Sequence, residues 1–232
     1  MSKPIPVHIY FVLDRSGSMA SIQQDVIGGF NRFVEEQREQ EGKCRLTLVQ
    51  FDNQDPHEIV YDAVKIDDVQ PLTAATFVPR GMTPLMDAEG WTLNRAKSRE
   101  AERAAAGKKA EAVLFVTFTD GAENASQEWD HKALSAAKRD AEKDGMAFTY
   151  LGAGHDAYSQ AHRVGTHAAS VQNFAADSQG VAATYGSLSD VSRKVRGRAA
   201  KGQRVASVNL YDGIGKAGEQ DAADRGLTHT GS

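Results

Sequence analysis

Two carboxylates and three hydroxyls, spread over three short stretches, are the chemically suggestive groups of this chain. FVLDRSGSM (11–19) breaks an apolar run into Asp14, Ser16 and Ser18; GMTPL (81–85) carries Thr83; FTDGAEN (118–124) carries Asp120 directly after another apolar run. All are hard oxygen donors, which suit magnesium or manganese better than zinc or copper, whose sites favour imidazole and thiolate. Octahedral magnesium takes six oxygens at about 2.1 Å, more than this set readily supplies, so water or a partner must complete the shell. Hydroxyl ligands neutralise little of the cation's charge, and the metal would stay electrophilic toward an incoming carboxylate. That is binding chemistry. Taken singly, each stretch has a plainer reading: a capped strand-to-helix turn at 14–18, an N-cap at Thr83 ahead of Pro84, and a turn at Asp120-Gly121. Their joint occurrence points to one metal site.

The elements that must bring them together can be read from pattern. VHIYFVL (7–13), VLFVTF (113–118) and MAFTYL (146–151) are nearly continuous apolar runs, as expected of strands covered on both faces. Ile22, Val26, Ile27, Phe30, Phe33 and Val34 recur at helical spacing. LTLVQF (46–51) and HEIVYDAVKI (57–66), joined by DNQDP, predict an antiparallel hairpin at a sheet edge. Helices are predicted from Pro84 to about Ala105, within 126–145, and over roughly 176–199, with a short sixth strand near AASV (168–171). Alternation of this kind predicts a doubly wound α/β fold: a mostly parallel sheet with one antiparallel edge strand and helices on both faces. In such sheets ligands sit outside the carboxyl ends of the parallel strands, where Asp14 and Asp120 fall.

With these residues in view, DRSGS, the GMTPL loop and the FTDG turn together resemble the metal-ion-dependent adhesion site of von Willebrand factor type A domains. The resemblance covers about residues 5–175, giving a domain over 1–175, a helix over 176–200 packed on it or extending it, and a flexible or loosely docked tail over 201–232. It implies a Rossmann-like fold and a divalent cation, magnesium or manganese. It also implies that Ser16, Ser18 and Thr83 contact the metal directly or through water, while Asp14 and Asp120 act largely through bound waters. The remaining coordination position would take an acidic residue from a protein partner. Arg15, Gly121, His155 and Asp156 are placed on the partner-binding rim. As a whole the chain is more similar to bacterial stand-alone members, including those near tellurium-resistance and phage loci, than to large adhesion proteins.

Bulk properties agree with a binding module. The formal net charge of -4 gives no electrostatic reason to make nucleic acid the main partner. No apolar run approaches the roughly 18 residues of a membrane span, no small-molecule substrate is expected, and the opening residues lack the order of an export signal, so the expected location is cytoplasmic. Cys44 is the single cysteine and excludes an intramolecular disulfide. GAGHDAYSQ (152–160) lacks the third glycine of a dinucleotide fingerprint. The protein is therefore expected not to be an enzyme. Two alternatives stay open: a magnesium-dependent phosphotransferase or phosphatase with Asp14 as nucleophile, and a metal-independent adaptor binding through the basic cluster Lys194, Arg196, Arg198, Lys201 and Arg204. The first lacks the second acid expected two residues on, where Ser16 stands.

Overall fold

A computed structural model describes residues 3–154 and 156–227 of the chain. Six strands form one sheet: β1 (Val7–Asp14), β2 (Cys44–Asp52), β3 (Asp55–Lys65), β4 (Ala112–Thr119), β5 (Ala147–Ala153) and β6 (Val171–Phe174). Their spatial order is β3-β2-β1-β4-β5-β6. Only the β2–β3 pair is antiparallel; β1 pairs in parallel with both β2 and β4, β4 with β5, and β5 with β6. The helices are α1 (Gln23–Arg38), α2 (Leu85–Ala105), α3 (His131–Lys143), α4 (Ala157–Arg163), α5 (Ser178–Ala200) and α6 (Ala217–Asp224). The expected doubly wound α/β architecture is what the chain adopts.

Alternation along β1 explains why its sequence reads as a continuous apolar run. Val7, Ile9, Phe11 and Leu13 face one core, shared with Phe30 and Phe33 of α1 and Val181, Leu188 and Val191 of α5. Tyr10 and Val12 face the other, shared with Leu85 and Leu93 of α2, Leu134 of α3 and Ala161 of α4. Each face is thus closed by helices, and a polar residue on either side of β1 would be buried. Phe11 meets Phe30 edge-to-face at 5.4 Å between ring centroids.

The strand order also fixes where a ligand can sit. From β1 the chain steps outward to β2 and β3 in one direction, then returns to β4 and proceeds through β5 and β6 in the other. The connections leaving β1 and β4 run to opposite faces, α1 on one and α3 on the other, which opens a crevice at the carboxyl ends of these two strands.

Three features differ from the sequence expectation. The helix expected within 126–145 starts only at His131, because residues 121–130 are held as a loop by side-chain acceptors. AASV is mostly a single 3-10 turn, Ala168–Ser170, and the strand follows it at Val171–Phe174. The segment expected as a loosely docked tail is packed over residues 201–227: Val205, Leu210, Tyr211 and Ala222 are buried. Residues 228–232 of that expectation lie outside the described residues.

Candidate functional site

Register brings the first contact. Leu13 pairs with Phe118 across β1 and β4, so Asp14 stands beside Thr119 at the strand ends. The Thr119 hydroxyl donates to Asp14 Oδ2 at 2.5 Å, and the Ser16 N–H donates to Asp14 Oδ1 at 2.6 Å. After Asp14 the chain turns into a 3-10 segment, Gly17–Ile22, that leads into α1. This tight turn brings the Ser16 and Ser18 hydroxyls to 3.1 Å from each other, and Ser18 donates to Asp120 Oδ1 at 2.6 Å.

Thr83 enters from a third loop, tied down at several points. The Gly17 N–H donates to the Gly81 carbonyl at 3.1 Å, and the Met82 N–H to Asn53 Oδ1 at 2.7 Å. Gly81 has φ +69°, and a Cβ there would stand 2.1 Å from Asn53 Oδ1, so only glycine fits. On the other side the Thr83 N–H donates to Asn124 Oδ1 at 2.9 Å, and the Asn124 N–H returns to the Thr83 carbonyl at 3.1 Å.

Gly121 locates the point of convergence. A Cβ at this position would be 3.0 Å from Thr83 Oγ1, 3.5 Å from Asp14 Oδ2 and 3.6 Å from Ser18 Oγ. The three loops therefore turn their oxygens toward one small space that this glycine leaves open. The loop after Asp120 is shaped from below: Asp87 accepts the N–H groups of Gln127, Glu128 and Trp129, and Glu123 accepts those of Met86, Ala125 and Ser126.

Exposure is graded across the site. Asp14, Ser16 and Thr83 are buried, Asp120 is intermediate and Ser18 is exposed, so the cluster opens to solvent on the Ser18 side. Burial pushes the Asp14 carboxyl up to about 7, against the hydrogen bonds from Thr119 and Ser16 and with a smaller contribution from the charge of Asp120. Burial likewise raises Asp120, with the Ser18 hydrogen bond opposing it. Both shifts express the same fact: two acids share a partly dry site, and neither makes an ion pair among the described residues.

All five residues expected to ligate a metal are therefore brought together, whereas Arg15 of the expected rim turns away. Arg15 is buried and turns inward to Asp52 at 2.7 Å, with further contacts to Gln50 and Glu58. It bridges β1 to the β2–β3 hairpin and cannot face a partner. Gly121 lies within the oxygen cluster. Asp156 is exposed at the start of α4, where it accepts from Gln160 Nε2 at 2.8 Å. His155 lies outside the described residues. Thr119 and Asn124 were not singled out in the sequence, although both sit in the FTDGAEN stretch. The signal available was that a hydroxyl at the last position of a strand must sit beside the last residue of its parallel neighbour.

A six-stranded, mostly parallel sheet with three oxygen-bearing loops at its switch point defines the class: a doubly wound α/β domain. A sequence profile described as von Willebrand factor type A domain matches residues 8–187, and the chain belongs to that family. No curated protein matches the chain. Among solved structures, a von Willebrand factor type A protein from Catenulispora acidiphila is similar over 84% of this chain and 43% of its own, at 14% identity and TM-score 0.55. The open conformation of the pilus adhesin SpaC from Lactobacillus rhamnosus GG is similar over 83% and 31%, at 14% identity and TM-score 0.54. Manganese-loaded TRAP protein from Plasmodium vivax is similar over 73% and 68%, at 13% identity and TM-score 0.50. The chain spans less than half the length of the first two.

Proposed function

We propose that the protein is a divalent-metal-dependent interaction module, acting in the cytoplasm, that captures an acidic side chain of a protein partner through a magnesium or manganese ion. The observation that carries this reading is the convergence of Asp14, Ser16, Ser18, Thr83 and Asp120 on the space above Gly121. The donors fit a hard cation: all are oxygens, two are carboxylates without a cationic neighbour, and one side is open. The site would rest on hydroxyls as much as on acids: among the described residues no group of three or more His, Cys, Asp or Glu gathers for a metal, here or elsewhere. A structural neighbour solved with manganese bound, and another named as a pilus adhesin, support the same reading.

On this reading Ser16, Ser18 and Thr83 would hold the ion with their hydroxyls, and Asp14 and Asp120 would act largely through water. When bound, the ion would supply Lewis acidity toward an incoming carboxylate, because the protein would neutralise so little of its charge. Asp14 has both oxygens occupied by hydrogen bonds and is fully buried, a poor position for a nucleophile. The module is accordingly proposed to be non-catalytic.

Manganese binding, followed by the loss of the free-ion EPR signal, tests the site directly. Wild type should take up one ion, while Asp14→Ala and Thr83→Ala should lose most of that affinity with their far-UV circular dichroism unchanged. Equal uptake by all three proteins would refute the assignment. Affinity capture from a host lysate, in magnesium and in chelator, then tests the partner: retention only in magnesium is the expected result.

A further inference from the structure

We infer that the cleft between α3 and α4 is a second contact surface, which binds a short acidic segment of the partner captured at the metal site. The cleft has a volume of about 440 Å³ and is lined by His131, Lys132, Ser135, Arg139, His162 and Arg163. No acidic residue lines it. The five basic side chains are exposed, and none makes an ion pair or a side-chain hydrogen bond with another described residue.

The neighbouring acids are each engaged elsewhere. Asp130 accepts from the Ala133 N–H as the N-cap of α3, Asp140 pairs with Lys143 and also feels the Arg139 charge, Glu142 pairs with His167, and Asp156 accepts from Gln160. Lys132, Arg139 and Arg163 repel one another across the cleft, with Asp140 offsetting part of the Arg139 charge, and a chain of net charge -4 has acids enough to pair them more fully. The cluster is the arrangement expected of a site that meets its counter-charge from outside.

Shape and place indicate what that counter-charge is. His131, Ser135 and Arg139 recur at four-residue steps and so lie along one face of α3, a span of about 12 Å. An extended peptide covers that distance with about four residues. The face begins where the loop that carries Asp120 ends, because residues 121–130 lead directly from the metal-site loop into α3. The inference is that a partner segment with one carboxylate at the metal site lays further acids along this cleft. A nucleic acid is disfavoured by the overall negative charge, which would oppose a long polyanion beyond this local cleft. The inference rests on the metal-site reading for the identity of the partner, but the cleft's preference for acidic peptide can be measured alone.

The probe is a fluorescein-labelled hexaglutamate peptide, followed by anisotropy at low salt in chelator, which silences any bound cation. Wild type is expected to bind it, with affinity falling as salt is added. The triple variant Lys132→Ala, Arg139→Ala, Arg163→Ala should bind about tenfold or more weakly, since each exposed pair contributes modestly and the three act together. Lys65→Ala with Lys108→Ala, which removes cations elsewhere, should bind as wild type does. Equal binding by the triple variant and wild type would overturn the inference. So would displacement of the peptide at lower concentration by a duplex oligonucleotide or by inorganic phosphate. Adding magnesium to wild type should tighten hexaglutamate binding as both sites engage one peptide. If magnesium changes nothing while the triple variant still loses affinity, the metal-site reading fails and the cleft stands.

Discussion

Thr119 holds the orientation of Asp14 through one hydroxyl that donates to Asp14 Oδ2 and accepts from the Gly121 N–H at 3.0 Å. Thr119→Val keeps the shape and removes both bonds. It should destabilise the fold by about 1–3 kcal/mol, the cost of leaving buried polar groups unpaired, and should weaken manganese uptake as well. Thr119→Ser should restore both properties, and equal metal binding by the valine and serine variants would rule out a positioning role. Gly121→Ala makes a separate prediction: its methyl would press on Thr83 Oγ1, so metal affinity should fall by more than thermal stability does. At the opposite end of β1, His8 Nδ1 lies 2.9 Å from Glu111 Oε2, and Arg99 also donates to Glu111. Burial works to raise the Glu111 carboxyl, but the hydrogen bonds and charges of His8 and Arg99 overcome it and bring the group down from 4.5 to about 2. A carboxyl depressed on folding adds stability that is complete above its unfolded value and is lost as pH falls through its folded one. Urea unfolding of wild type should therefore show stability draining from pH 4.5 toward pH 2, and Glu111→Gln should be weaker at pH 7 with a flatter dependence across that window. An unchanged slope in the variant would remove Glu111 as a source of the acid sensitivity. At this scale the five oxygen donors were legible because their types and their positions after apolar runs are local facts. The inward turn of Arg15 was not, because Asp52 and Glu58 reach it only once the hairpin has folded back beside β1.

Among the elements, α5 shows why a run of basic residues can mislead. The guanidinium of Arg196 is buried and donates to the carbonyls of Gln37, Gln40, Glu41 and Gly42, where α1 ends and its last carbonyls lack helical partners. Lys194 similarly donates to the carbonyls of Asn209, Leu210 and Asp212. Two members of the cluster expected to serve an adaptor surface are therefore internal fastenings, and charge reversal at Arg196 would test folding instead of partner binding. Arg196→Met, which keeps the packing and removes the donors, should cost roughly 2–4 kcal/mol in chemical denaturation, given that hydrogen bonds to charged groups are worth about 1.5–3 kcal/mol each. A loss below the error of the measurement would show that water satisfies the α1 carbonyls equally well. The strands were legible where both faces are covered, since such segments are apolar throughout. β6 was displaced in the sequence reading because its four residues include Gln172 and Asn173, which blur the apolar signal, whereas AASV carries more of it over a 3-10 turn.

On the scale of the whole molecule, the segment after α5 closes the outer edge of the sheet. β6 is an edge strand, and Glu219 of α6 accepts its Asn173 N–H at 2.9 Å, so part of the open ladder is satisfied by a side chain. Gly218 allows α6 to approach α5 closely: a Cβ there would be 2.2 Å from Thr184 Oγ1 and 3.1 Å from Phe174 Cβ. Ser207 contributes further, accepting the Phe148 N–H at 3.0 Å, and Tyr211 reaches Thr149 at 3.1 Å. Little of this is visible in sequence, because the contacts are few, widely spaced and made to residues far back in the chain. The amide-by-amide character of the docking gives no periodic pattern to read. Truncation after Lys201 should therefore do more than remove an appendage. It would expose Phe174 and the faces that Val205, Leu210 and Tyr211 cover, at a cost of several kcal/mol if each buried large side chain is worth about 1.5–3 kcal/mol. The truncated protein should melt at a markedly lower temperature and, with its edge strand bared, elute as a mixture of monomer and larger species on size exclusion. The oxygen-bearing loops lie at the ends of β1 and β4, the two central strands, each with two strands between it and its nearer edge, so manganese binding by the fraction that remains folded should survive. A truncated chain with unchanged melting temperature would show that these contacts contribute nothing net, and that the α1–α5 layer alone stabilises the domain.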